Sequence, residues 1–335
     1  MVLPPNSVPR FYRGGAAIAE LRGIENPPEL EPEDWVGSTT TVFGETELGL
    51  SRLLDGRLLR DAVAADPPGF FGPDHAARGG ADPRLLVKLL DAGERLPVHV
   101  HPDDAFAHET LGVPYGKTEA WIVLATADPA ATMHVGFREE VSAATLAGWV
   151  RDQDAAAMLD ALNAFEVRSG DALFVPAGTP HAIGEGALIV ELQEPSDLSI
   201  LLEWRGFADE EEASLGLGWD VALRCVERSG VEPDRICGRR REGSNGATRL
   251  LPAEADRFFL AELVEGSESA ELDRGFAILV FTEGAAELHS EDGEPLPVSR
   301  GDTVLVPWSA GVCRLQGEAV AMACRPPVAD AGAPR

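Results

Sequence analysis

Residues 96–121 read LPVHVHPDDAFAHETLGVPYGKTEAW. His99 and His101 stand two apart among apolar, β-branched neighbours. On a strand, residues two apart project from one face, about 7 Å apart along the backbone. Two imidazoles aimed the same way can close on one metal ion. After a loop punctuated by Pro114 and Gly116, Glu119 opens a new apolar run, AWIVLATA. An adjacent antiparallel strand would carry that carboxylate back to the histidines. Sixty residues on, GDALFVPAGTPHAI (170–183) is a strand, a sharp Pro-Gly turn and His181. Imidazole and carboxylate together suit a borderline divalent ion such as zinc, manganese, iron or nickel. The expected ligand set is therefore His99, His101, Glu119 and His181.

Working outward, RLLVKLLDAG (84–93) is short, apolar and followed by Gly, which predicts a strand leading to the histidine pair. Lys88 in its middle is either a snorkelling edge lysine or a site residue. Lys88 and Lys117 are the two lysines among 28 basic residues, and they flank the histidine stretch. Arginine fills every other basic position, so these two places select an ammonium, a compact point charge. Residues 96–134 and 165–205 alternate short apolar runs with turn signals, a β pattern. Between them, 139–163 changes to helical spacing and predicts two short helices inserted into a β region. The DPPGFFGPD segment (66–74) reads as a loop after a helical RLLRDAVAA. Asp103 and Asp104 read as turn caps after Pro102. His75, His108, His134 and His289 read as structural or surface residues.

The frame GD–apolar–P of 170–183 returns in GDTVLVPWSAGVCRL (301–315), with Val312 or Cys313 where His181 would fall. Two copies of a short-stranded unit predict two related β barrels, the second without a metal. The expected division is residues 1–205, a connecting segment 206–246 with one short helix, and 247–335, whose last ten residues read as disordered.

A net charge of −28 over 335 residues disfavours nucleic acid and anionic membranes as partners. It also makes binding of an anionic metabolite depend on a few local cations. No apolar run is long enough for a transmembrane helix. The N-terminus has no apolar signal core, and Cys225, Cys237, Cys313 and Cys324 form no CxxC pair. A reducing cytoplasm is the expected location.

The pattern HxH…E…PxGxxH resembles a cupin. More narrowly, LVKLLDAGERLPVHVHPDD, YGKTEAW and PAGTPHAIGEGALIVELQEPSD resemble the class I mannose-6-phosphate isomerases in their shorter bacterial layout. EDWVGS (33–38) resembles the N-terminal segment of that family more weakly. The resemblance implies a mainly β bicupin with a helical insertion and a divalent metal, zinc foremost. It implies interconversion of mannose 6-phosphate and fructose 6-phosphate through an enediol, by a monomer or homodimer. It implies Lys117 as electrostatic stabiliser or proton carrier and substrate contact. It implies Glu191 as acid/base, and Lys88 at the phosphate or bracing the acidic groups behind the site. The chain departs from the family pattern three times. His99 replaces a glutamine ligand, Pro97 replaces a serine, and the family's catalytic arginine falls on Leu201. Arg205, of the same strand parity, is the expected substitute. The alternatives are a cupin of other chemistry, an oxygenase or free-sugar isomerase, and a non-catalytic sugar-binding cupin.

Overall fold

The computed structural model describes residues 1–127, 130–267 and 270–327. Most of the expected tail therefore lies outside the described residues. Eleven strands build two antiparallel sheets from the first half of the chain. They are β1 (Ser7–Val8), β2 (Glu33–Val36), β3 (Leu86–Asp91), β4 (His99–Val100), β5 (Glu119–Thr126), β6 (Ala131–Phe137), β7 (Leu162–Val167), β8 (Ala172–Val175), β9 (His181–Ala182), β10 (Ala187–Gln193) and β11 (Ile200–Leu201). One sheet runs β1-β2-β3-β10-β5-β8 and the other β11-β4-β9-β6-β7. The second half repeats this plan. Strands β12 (Arg241–Glu242), β13 (Thr248–Arg249), β14 (Leu260–Glu265), β15 (Ala270–Leu272), β16 (Ala277–Glu283), β17 (Ala285–His289), β18 (Leu296–Ser299), β19 (Thr303–Val306), β20 (Cys313–Gly317) and β21 (Val320–Arg325) follow. They form sheets β12-β13-β14-β21-β16-β19 and β15-β20-β17-β18. The repeated GD–apolar–P frames end in β8 and β19, and each of these strands closes one edge of its six-stranded sheet. Among the described residues neither pair of sheets closes into a continuous barrel, so the expectation of barrels is met only as mainly antiparallel β structure.

Period-two alternation sorts the long strands between cores. On β3, β5 and β10, Val87, Leu89, Ala120, Ile122, Leu188, Val190 and Leu192 face a cluster that also takes Ile278, Val280, Phe259 and Met322 from the second half. The opposite faces, with Leu90, Trp121, Val123 and Ile189, meet Met133, Val135 and Ile183 of the second sheet. The two six-stranded sheets thus share one core, and each covers a smaller sheet with its other face. Glu119 and Trp121 lie on the face toward the second sheet, as their spacing requires.

The segment 139–163 contains helices Ala143–Asp152 and Ala155–Ala161. Ser142 and Asp154 accept from Thr145 and Ala157 backbone N–H groups, which satisfies otherwise orphaned donors at each start. Leu146, Val150 and Met158 turn inward against Val98, Val100 and Ile200. The helices therefore buttress the outer face of the strands that carry His99. The expected loop at 66–74 is instead helical, Pro67–Phe71 followed by Pro73–Gly79. The prolines occupy first-turn positions, where a missing N–H removes no helical hydrogen bond, and Asp66 accepts from Gly69 N at 3.0 Å. Lys88 is not an edge lysine, because β3 lies between β2 and β10.

Candidate active site

His99 on β4 faces His181 on β9 in direct register, and His101 follows at the strand end. The three imidazoles place ligand atoms within 4.8 Å of one another, all buried. Their Nδ1 atoms are committed to backbone carbonyls. His99 pairs with Pro97 O at 2.8 Å, His101 with Leu198 O at 2.7 Å and His181 with Thr179 O at 2.8 Å. Each ring is thereby oriented with Nε2 left for the cluster, the arrangement that metal-ligating histidines adopt. Glu119 reaches across from β5, with Oε1 3.0 Å from His101 Nε2 and Oε2 3.7 Å from His181 Nε2. Trp121 Nε1 donates to Glu119 Oε2 at 3.1 Å. The turn before His181 is pinned by Gly178, whose N–H donates to His101 O at 2.7 Å. Gly178 has φ +83, and a side chain there would meet Cys225 O at 3.0 Å.

The electrostatics suit a cation. Burial, then the neighbouring imidazoles, holds His99 well below its ordinary pKa, and burial with His101 lowers His181 to about 3. The rings are therefore neutral, the ligating form. Burial opposes ionisation of Glu119, but Lys117 and His101 together hold it well below the usual carboxylate range. Glu119 Oε1 and His181 Nε2 are buried with no hydrogen-bond partner among the described residues. Buried polar atoms without partners are rare, and a divalent ion would satisfy both. The donor set and its orphaned atoms thus fit a metal held by His99, His101, His181 and Glu119.

A narrow cavity opens onto this cluster through His99 and Glu119. Lys117 Nζ stands in its wall, 3.0 Å from Glu119 Oε1 and 3.4 Å from His101 Nε2. Glu191 on β10 also lines it, paired in register with Lys88 on one side and Trp121 on the other. Burial, then the charge of Glu119, outweighs Lys88 and pushes the Glu191 carboxyl up to about 7. Lys88 is buried among carboxylates. Its Nζ lies 3.3 Å from Glu33 Oε2, 3.4 Å from Glu191 Oε2 and 4.0 Å from Asp197 Oδ1, and 4.7 Å over the Trp35 ring.

Arg205 is not at the site. Strand β11 ends at Leu201, so parity counted four residues further does not hold. Arg205 is exposed and its guanidinium lies over the Trp204 ring, 5.6 Å from the centroid. Leu201, paired with His99, lines the cavity instead. The guanidinium that does reach the cavity is Arg10, which sequence reasoning missed, together with Tyr12 and Glu33, and Asp197 pairs with it from behind. Arg10 Nη1 donates to Asp197 Oδ2 at 3.0 Å, and Tyr12 Oη donates to Glu33 Oε1 at 2.6 Å. The available signal was the acidic pair of EDWV in an apolar strand. Nothing in the Pro/Gly-rich N-terminal stretch marks Arg10.

A mannose-6-phosphate isomerase of Bacillus subtilis, ManA, is 29% identical over 240 residues, which cover 70% of this chain and 72% of ManA. A mannose-6-phosphate isomerase of Streptococcus mutans is 43% identical over 117 residues, 34% of each chain. In sequence the chain is thus similar to mannose-6-phosphate isomerases. No family model matches the chain. At the level of fold, the crystal structure of the mannose 6-phosphate isomerase from Bacillus subtilis superposes with a TM-score of 0.77 at 24% identity, covering 97% of this chain and 98% of that one. An H99Q mutant of phosphomannose isomerase from Salmonella typhimurium superposes with a TM-score of 0.73 at 17% identity, covering 98% and 99%.

Proposed function

We infer that this chain interconverts mannose 6-phosphate and fructose 6-phosphate with a divalent metal held by His99, His101, His181 and Glu119. The observation that carries the reading is the buried, neutral three-imidazole cluster with an orphaned Glu119 oxygen, open to a cavity that also holds Lys117 and Glu191. The ion, zinc foremost on the donor chemistry, supplies Lewis-acid polarisation of a sugar oxygen. The protein's own groups do the rest. Glu191 is the acid/base that takes the proton from C2 of the aldose and returns it to C1. Its carboxyl is suited to this because burial moves it toward neutrality, where a carboxylate is a competent base and its acid a competent donor. Lys117, beside Glu119, places positive charge next to the reacting oxygens. Lys88 positions Glu191 through their 3.4 Å ion pair, and three carboxylates surround its buried ammonium, so it is assigned bracing and not substrate contact. Leu96, Pro97, Ile183 and Leu201 give the cavity an apolar wall that limits competing water.

The same reading takes the repeated sheet pairs as two cupin-like units. The first, residues 1–205, carries the metal, and the second, 247–335, has Cys313 on β20 at the place of His181. A cytoplasmic location agrees with four free cysteines, and no helix of the described residues is long and apolar enough to cross a membrane. The decisive experiment follows aldose–ketose exchange of mannose 6-phosphate before and after chelation, and in His101→Ala. Turnover is expected in the metal-loaded protein and loss of at least about 100-fold in the other two. An unchanged rate in chelated protein would overturn the metal-dependent reading.

A further inference from the structure

We propose that Arg10 is a further catalytic residue, whose guanidinium donates to the sugar oxygen that becomes anionic as the enediolate forms. The inference rests on the isomerase reading above. In that reaction the C2–H electron pair becomes the C1=C2 double bond and the proton passes to Glu191. The carbonyl π pair moves onto O1, which stays negative until the O2 proton passes to it; the O2 electron pair then forms C2=O, and the C1=C2 pair takes the proton back from Glu191 at C1 to give the ketose. The charge is transient, and groups already fixed in place stabilise it most, because they need no reorganisation at the moment of reaction.

Three side-chain cations line the cavity, Arg10, Lys88 and Lys117. Lys88 has three N–H donors and three carboxylates around it. Lys117 is held between Glu119 and His101. Arg10 has five N–H donors. Among the described residues it makes a single side-chain hydrogen bond, Nη1 to Asp197, while its Nε lies 3.4 Å from Glu33 Oε1 without forming one. It therefore has the largest uncommitted donor capacity in the cavity. Its side chain is 15% exposed against 2% for Lys88, so it is open to a ligand that Lys88 cannot reach.

The surroundings fix Arg10 in this place. Its backbone N–H donates to Leu30 O at 3.1 Å. Asp91 Oδ2 accepts from Gly15 and Ala17 N–H groups, both at 2.8 Å. Gly14 then passes so close to Asp91 that a Cβ there would sit 1.9 Å from its carbonyl oxygen. The loop after β1 is thus clamped to the end of β3. Glu33 and Asp197 keep the guanidinium charged and aimed, and Asp197 also faces Lys88, so Arg10 and Glu191 belong to one charge network.

The test uses the metal-loaded full chain with Arg10→Lys and Arg10→Ala. Arg10→Lys keeps the charge that Glu33 and Asp197 require but loses the planar fork, which guards against simple unfolding. The expected result is a kcat fall of about 100-fold or more in Arg10→Ala, with KM for mannose 6-phosphate and inhibition by inorganic phosphate changed less than about threefold. A phosphorylated aldonohydroxamate, a planar mimic of the enediolate, is expected to bind at least about 10-fold more weakly to Arg10→Lys by calorimetry. Retained kcat in both variants would overturn the proposal, as would a loss confined to KM and phosphate inhibition, which would make Arg10 a phosphate anchor. Absence of turnover in the unaltered protein would instead sink the isomerase reading itself, so the two failures are distinct.

Discussion

Glu191 is poised between two opposing environments. Lys88 at 3.4 Å favours its ionised form, while burial and Glu119 favour the acid and dominate. In its proposed role as general base it would work deprotonated, so kcat/KM is expected to rise with pH through an apparent pKa at or below about 7. A bound dication lowers it further, because positive charge favours the carboxylate. Glu191→Gln should remove that limb and cost about 100-fold or more in kcat, read from a pH–rate profile. His99 and His181 carry a second pH effect. Their folded-state pKa values are depressed, His181 from 6.5 to about 3, so the unfolded chain binds more protons between those values. Stability of the metal-free protein is therefore fully present above about 6.5 and is lost as pH falls, whereas His181→Asn should flatten that slope in thermal melts at pH 7 and 5. At Lys88, Lys88→Met leaves Glu33, Glu191 and Asp197 facing one another and is expected to destabilise by about 3–5 kcal/mol in urea titrations.

At the scale of elements, the site depends on two short strands and one turn. Strands β4 and β9 each span two residues, too short to hold their register by backbone pairing alone. Their register is fixed from outside, by the inserted helices behind Val98 and Val100 and by the 176–180 turn in front. Gly178→Ala forces a side chain into a positive-φ position against Cys225 O. The expected outcome is weaker metal retention, by about 10-fold or more in a competition with a chelator, with secondary structure unchanged by circular dichroism. HxH spacing and the Pro-Gly turn made the ligands His99, His101 and His181 legible as candidates, since local geometry sets which way each points. The turn of β11 at Leu201 was not legible, because strand ends are set by what packs beyond them. That is why parity misplaced Arg205.

For the whole molecule, the notable feature is the core shared between the halves. Phe259 is fully buried in it, among residues from both six-stranded sheets. Phe259→Ala is expected to cost about 3–5 kcal/mol. Because one cluster serves both halves, calorimetry should show a single transition moving to lower temperature, and two separated transitions would contradict this coupling. The two histidine strands and Glu119 belong to different sheets of the first half, so the site forms only when those sheets close on each other. The second half contributes none of the expected metal ligands but holds the back of the sheet that carries Glu119 and Glu191.

By itself the sequence determined the local chemistry. Period-two alternation, turn residues and the rarity of lysine singled out the β architecture, the ligand candidates and Lys88 and Lys117, because those signals depend only on neighbours along the chain. Tertiary structure alone decided what distant segments bring to one place. It consumed the ammonium of Lys88 among three carboxylates, removed Arg205 from the cavity and brought in Arg10 from a segment with no periodic pattern. The physical reason is that charge pairing in a buried site is set by distances across sheets. No spacing along the chain encodes which guanidinium a folded loop will carry to a carboxylate 187 residues away.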